Sequence, residues 1–260
     1  MSVAADRERL RHEAEFHDEL VASGGRPADR FYVINRESPR SGWSFYCDLL
    51  LREASTRAEP RILEYGSGIG SFSGLFLSRH GFASLGVDIS PASVAAAQAH
   101  ADDALPGLGL EYRVMNCEAL ELDDDSFDLV CGNGILHHLV LERAYHEVAR
   151  VTTPDGCAVF SEPLGHNPAI NLYRRRTPEQ RTADEHPLRV ADLRLARRYF
   201  EDVQVHYFHL FDLLALPFVG TRAGRPLLGA LARVDGAAFR LAPPLRRQAW
   251  YSVLRLARPR

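Results

Sequence analysis

The chain has 260 residues, 46% of them hydrophobic and 25% charged, with a formal net charge of −3 at pH 7. That composition suits a globular protein burying a sizeable core in one domain with elaborations, and it lacks the basic field of a dedicated nucleic-acid binder. All 31 basic positions are arginine, which excludes a lysine Schiff base and a lysine general base.

In chain order, Met1 to Leu20 is charged throughout and lacks the apolar stretch of a signal peptide. Residues 7–22 predict a polar helix anchored by Leu10, Phe16, Leu20 and Val21, too thinly apolar to stand alone. After Gly24, Gly25 and Pro27, an aromatic stretch from Phe31 to Tyr46 leads into a second helix over 41–54. Residues 1–58 are expected to form an N-terminal lid over a ligand, or a helical layer against a sheet. A regular alternation follows: strand 61–65, helix 71–80, strand 84–88, helix 91–103, strands 110–115 and 127–132, helix 138–150, strand 157–162. Strands interleaved with helices of this length require right-handed crossovers. The expected fold is therefore α/β, a doubly wound Rossmann-like and mostly parallel sheet, with its core over 59–162. The acidic run Asp123 to Asp125 reads as a solvated turn.

Residues 163–260 form the second half. The run 163–187 is long, polar and broken by prolines, and reads as a loop. Its Arg174, Arg175, Arg176 and Arg181 could clamp an anionic substrate group, against the plainer reading of a solvated loop. Helix 189–199 and strand 202–209 precede two apolar segments, 210–219 and 226–241, and a last strand from Trp250 to Leu256. The apolar segments predict a helical cap over about 210–245 that encloses a hydrophobic substrate or rests on a membrane surface or a second chain. No run of about 18 apolar residues predicts a membrane span. Cys47, Cys117, Cys131 and Cys157 read as buried free thiols of a cytoplasmic protein.

The most informative stretch is Glu64-Tyr65-Gly66-Ser67-Gly68-Ile69-Gly70, after which Phe72, Leu75, Phe76 and Arg79 repeat at helical spacing. Strand, tight turn and helix in that order open a nucleotide-binding fold, and glycines let the backbone turn sharply beneath a ligand. Asp88 closes the second strand twenty-two residues after Gly66, where an acid accepts hydrogen bonds from ribose hydroxyls. A dinucleotide fingerprint would place its third glycine at Ser71. Glu64 would repel a phosphate but suits a ligand with a cationic amino-acid end, which favours S-adenosylmethionine (SAM) over NAD.

Glu64-x-Gly66-x-Gly68-x-Gly70, Gly86-Val87-Asp88-Ile89-Ser90, the stretch from Asn116 to Val130, Ile135-Leu136-His137-His138-Leu139 and Arg150-Val151-x-x-Pro154-Asp155-Gly156 stand in one order and spacing. Over roughly residues 60–162 the chain thereby resembles the class I SAM-dependent methyltransferases. The resemblance implies a sheet whose last strand runs antiparallel. It implies that Glu64, Gly66, Ser67, Gly68 and Gly70 pass under the methionine part of SAM, with Asp88 and Ile89 at the ribose. Asn116 stands where the family usually has an aspartate that binds the adenine amino group, and its side-chain oxygen can accept the same bond. Cys117 and Glu118 would flank the adenine, and Asn133 and Gly134 would offer carbonyls to the methionine ammonium. Two further departures are Asp155, where the family has a glycine, and the long segment 207–241 in place of a tight hairpin.

Methyl transfer requires an acceptor aligned with the sulfonium and, for a hydroxyl or amine, loss of a proton. Candidate groups at the strand ends are His137, His138, Glu162 and His166. Both histidines are not expected to face inward from one helical turn. His138 is taken as base or substrate contact, His137 as structural or exposed, and Glu162 as a second catalytic group or a helix cap. His138, Glu142 and His146 repeat at a spacing that surface helices produce freely, so no metal site is expected. The expected function is SAM-dependent methylation of a small, apolar or amphiphilic metabolite, such as a natural-product or lipid-like intermediate, with oxygen as first choice of acceptor. No nucleic-acid partner is expected. A homo-oligomer, peripheral membrane contact, and a reaction without methyl transfer, such as a cyclisation, stay open.

Overall fold

The computed structural model describes residues 3–24, 34–35, 40–104, 106–107, 109–178 and 185–260. Gly25, Pro27, Phe31 and Arg181, named above, lie outside the described residues. The chain begins with α1 (Val3–Ala22) and α2 (Gly42–Ala54), then runs β1 (Ile62–Tyr65), α3 (Ser73–Ser78), β2 (Ser84–Asp88), α4 (Pro91–Ala104) and β3 (Leu110–Val114). It continues through β4 (Phe127–Asn133), α5 (Leu141–Val151), β5 (Thr152–Pro163), α6 (Pro168–Arg176), α7 (Val190–Leu195), β6 (Phe200–Phe208), α8 (Gly224–Leu241) and β7 (Tyr251–Pro259).

The seven strands form one sheet in the order β3-β2-β1-β4-β5-β7-β6. Pairs among β1 to β5 are parallel, whereas β7 runs antiparallel to both β5 and β6, as expected. The carboxyl ends of β1, β2, β4, β5 and β6 therefore open on one edge of the sheet. Strands buried on both faces must be apolar on both. Leu63, Tyr65, Val130, Phe160 and Leu254 pack with α5 on one face, and Ile62, Leu129, Cys131, Val159 and Val253 pack under α2 on the other. Each fully buried side chain of this size contributes about 1.5–3 kcal/mol. All four cysteines are buried and free.

Three expectations need correction. The loop expected over 163–187 contains α6, started by Asn167, whose Oδ1 accepts from the Ala169 and Ile170 amides at 3.0 and 3.2 Å. The prolines that suggested a loop include Pro168, which sits in the first turn, where its missing N–H costs nothing. The first cap segment, Asp212–Phe218, is 3-10 rather than α-helical and contains Pro217. The helix expected from residue 138 starts at Leu141, after a separate 3-10 turn over Leu136–His138. Among the described residues no helix is long and apolar enough to cross a membrane.

Candidate functional site

The turn after β1 needs its glycines for two different reasons. Gly66, Gly68 and Gly70 all have positive φ, at 73°, 50° and 68°. A Cβ on Gly66 would meet Ile135 at 2.5 Å, and one on Gly70 would meet Ala97 and the Tyr112 hydroxyl at 2.9 Å. Those two glycines are packed from behind. At Gly68 a Cβ would meet only Phe72, at 3.9 Å, so that side of the turn is open. Asp88 locks the turn from the end of β2: its Oδ2 accepts the Gly68 amide at 2.8 Å and its Oδ1 the Ser90 amide at 3.0 Å. Ser67 is fully buried, and Ile89 is half-buried beside Asp88.

Glu64 is 1% exposed and lies behind the turn, its Oε1 accepting the Ser73 amide at 2.7 Å while its Oε2 makes no hydrogen bond. Burial pushes its carboxyl up to about 7, against the pull of the Gly74 and Ser73 amides. Asn116 turns its Oδ1 back onto the Glu118 amide, at 2.9 Å. The Cys117 carbonyl accepts the Tyr65 hydroxyl, and burial pushes the Cys117 thiol far up.

The 3-10 turn after β4 brings together what an α-helical turn would separate. His137 and His138 both face the interior, with rings 4.2 Å apart and side chains 8% and 12% exposed. The expectation that the two could not both face inward is therefore corrected, and of the two readings of His137, structural or exposed, burial removes the second. Glu162, fully buried at the end of β5, accepts the Ile135 and Leu136 amides at 2.9 and 2.8 Å through Oε1 and His137 Nδ1 at 2.8 Å through Oε2. Burial pushes Glu162 up to about 7 and holds His137 well below the usual imidazole range, where the neighbouring His138 adds to the effect. Burial thus favours the neutral imidazole, whose Nδ1 faces Glu162 and whose Nε2 is left 3.8 Å from Glu185. Gly134 lies beneath it, its absent Cβ 3.6 Å from the imidazole.

His138 faces the other way, toward α1. Its Nδ1 lies 2.8 Å from the Glu13 carboxylate without the alignment of a hydrogen bond. Burial opposes ionisation of Glu13, but His138 and His17 outweigh it and hold the carboxyl well below its usual range. Helix α1 is strapped over this edge at further points. Arg9 reaches Glu118 at 2.6 Å and the His138 carbonyl at 3.3 Å, Asp6 pairs with Arg143 at 2.8 Å, and Asp18 accepts from Ser90 Oγ at 2.5 Å and the Ala92 amide at 3.1 Å. Sequence reasoning missed these residues, because charged positions on a polar helix carry no mark of their partners. Glu118, expected beside a cofactor, is 6% exposed and also accepts the Val140 amide at 2.8 Å.

A second polar centre was missed as well. His209, at the tip of β6, has φ +65° and is 1% exposed, with Nδ1 2.7 Å from Asp212 Oδ2 and Nε2 3.0 Å from Asn35 Oδ1. It borders a cleft of about 320 Å³ with Ser41, Phe45, Asp212 and Asp235. That cleft lies at the β6 edge, four strands from β1, so it is separate from the glycine turn. His166 accepts the Val190 amide at 3.3 Å, and Arg174 braces the Leu164 carbonyl at 3.0 Å.

Residues 63–160 match a family model described as "Methyltransferase domain". The chain is 33% identical over 110 residues to an uncharacterised methyltransferase, YcgJ, of Bacillus subtilis, covering 42% of each chain. It is 37% identical over 103 residues to a malonyl-[acyl-carrier protein] O-methyltransferase of Methylococcus capsulatus, covering 39% of this chain and 36% of that one. The matches thus span less than half the length of either relative. Among solved structures, the [4+2]-cyclase SpnF shares the fold, with a TM-score of 0.60, 18% identity and coverage of 96% and 97% of the two chains.

Proposed function

We propose that the chain is a class I SAM-dependent methyltransferase and that it methylates an oxygen of a small, apolar or amphiphilic metabolite, with His137 removing the proton. When bound, SAM supplies a methyl group already activated on a sulfonium, so the protein has to bind, align and deprotonate. The residues of the glycine turn fit that cofactor. The open side at Gly68 admits it, and each Asp88 oxygen accepts one amide and keeps a lone pair for a ribose hydroxyl. Asn116 Oδ1 likewise retains a lone pair for the adenine amino group. Asn133 and Gly134 offer carbonyls to the ammonium at the end of β4. Glu64 supports the turn from behind and adds negative charge beneath the cationic ligand.

The observation that carries the base assignment is the pairing of His137 with Glu162. The carboxylate fixes the tautomer through Nδ1–H and leaves the Nε2 lone pair to accept a proton, while Ile135 and Leu136 hold the carboxylate still. His138, whose near nitrogen faces Glu13, is less well placed for that work. The similarity to a carrier-protein O-methyltransferase supports oxygen as acceptor. Leu214, Phe218, Val234 and Leu241, which are 67%, 46%, 50% and 86% exposed on the cap, support an amphiphilic substrate. Turnover is read as S-adenosylhomocysteine released from SAM with a panel of hydroxylated amphiphiles. His137→Ala is expected to lower kcat by about 10²–10⁴-fold with SAM affinity unchanged, and Glu162→Gln to lower it as well. Wild-type turnover in His137→Ala would remove the base assignment.

A further inference from the structure

Two imidazoles and a carboxylate converge where α1 meets the core, and the proposed methyl transfer uses none of the three. Glu13 and His17 lie one helical turn apart on α1, and Glu13 Oε1 is 3.1 Å from His17 Nε2 and 2.8 Å from His138 Nδ1. The three donor atoms all lie within 4.8 Å of one another. His138 Nδ1 is buried and makes no hydrogen bond despite its nearness to Glu13, and the His17 and His138 rings stand 5.9 Å apart.

We propose that Glu13, His17 and His138 bind one divalent first-row transition-metal ion of the Zn²⁺ type, which fastens α1 over the strand ends. Two neutral imidazoles and one carboxylate form a donor set suited to Zn²⁺, whereas Mg²⁺ and Ca²⁺ prefer oxygen alone. Metal–ligand bonds of about 2.0–2.1 Å place tetrahedral donors about 3.3 Å apart. The observed 2.8 and 3.1 Å need to open only slightly. Three protein ligands leave a fourth position for water or a substrate oxygen. His138 also approaches His137 and Glu185, but there His137 Nδ1 is committed to Glu162 and its Nε2 stands 3.8 Å from Glu185. The tighter set is therefore the one on α1. Two of its ligands come from the lid and one from the core, so binding there couples metal occupancy to lid closure.

The test uses the untagged full chain after chelator treatment, with Zn²⁺ titrated by calorimetry and metal content read by mass spectrometry. One Zn²⁺ per chain is expected. His17→Ala and Glu13→Gln should each weaken it by about tenfold or more, and Glu185→Gln should leave it unchanged. His17 is only partly buried, and far-UV circular dichroism of each variant verifies that it folds. Trypsin cleavage at Arg7, Arg9 and Arg11 should slow when Zn²⁺ is added to the wild type and be unaffected by it in His17→Ala. Absence of stoichiometric binding, binding unmoved by both α1 variants, or equal loss in Glu185→Gln would overturn the assignment. None of these readouts depends on methyl transfer.

Discussion

Replacing Glu64 by glutamine separates the charge of the acid behind the glycine turn from its shape. The carboxyl is fully buried and one of its oxygens makes no hydrogen bond, so it ionises with difficulty: burial raises it from an ordinary 4.5 to about 7. Below pH 4.5 the folded and unfolded chains both hold this proton, and the group has no effect on stability. As the pH rises to about 7 the unfolded chain releases it first, and stability falls. Above that the loss is complete, at about 3 kcal/mol. Glutamine is neutral throughout and keeps an oxygen for the Ser73 amide. Urea unfolding at pH 5 and pH 8 should therefore show Glu64→Gln close to wild type at the lower pH and more stable by about 3 kcal/mol at the higher. The same variant should bind cationic SAM more weakly, since the negative charge beneath the turn is gone. A variant less stable than wild type at pH 8, or a difference constant with pH, would refute the reasoning.

Gly70→Ala would place a Cβ 2.9 Å from Ala97 and Tyr112 at positive φ and should cost several kcal/mol, whereas Gly81→Ala, also at positive φ but with nothing within 4 Å, should cost only about 1–2 kcal/mol. Thermal unfolding of the pair separates packing from backbone strain. Arg9→Met leaves Glu118, whose side chain is 1% exposed, without its closest cation. Arg143, 3.3 Å from Glu118, and the Val140 amide remain, so a loss of about 1.5–3 kcal/mol is expected, with faster hydrogen exchange along α1; unchanged exchange there would show that Arg9 does not hold the helix. Asp235 accepts the Leu210, Phe211 and Asp212 amides at 3.0, 2.7 and 3.4 Å, so Asp235→Ala should destabilise the chain by about 2–4 kcal/mol and loosen the cap, as read by proteolysis between β6 and α8.

Local pattern carried the core. Apolar runs, the three glycines and the acid at residue 88 follow from rules that act over a few residues, and the sheet formed with those strands in those places. What pattern could not carry was contact across the fold. Asp6, Arg9, Glu13 and Asp18 look like solvated charges on a polar helix, and only the packing of α1 on the sheet edge gives them partners. The pairing of Glu162 with His137 rather than His138 has the same origin. A helical turn would have split them, but a short 3-10 turn ahead of α5 leaves both inside, and Glu162, twenty-five residues further on, pairs with His137. In α6 the prolines hid a helix behind the signature of a loop, although Asn167-Pro168 was legible as a cap.

Calorimetric titration of SAM into the wild-type chain and into Asp88→Ala tests the cofactor site most directly. Asp88 holds the turn by the Gly68 and Ser90 amides and is assigned the ribose hydroxyls, so its removal should weaken SAM by about a hundredfold or more. Equal affinity in the two proteins would contradict the account.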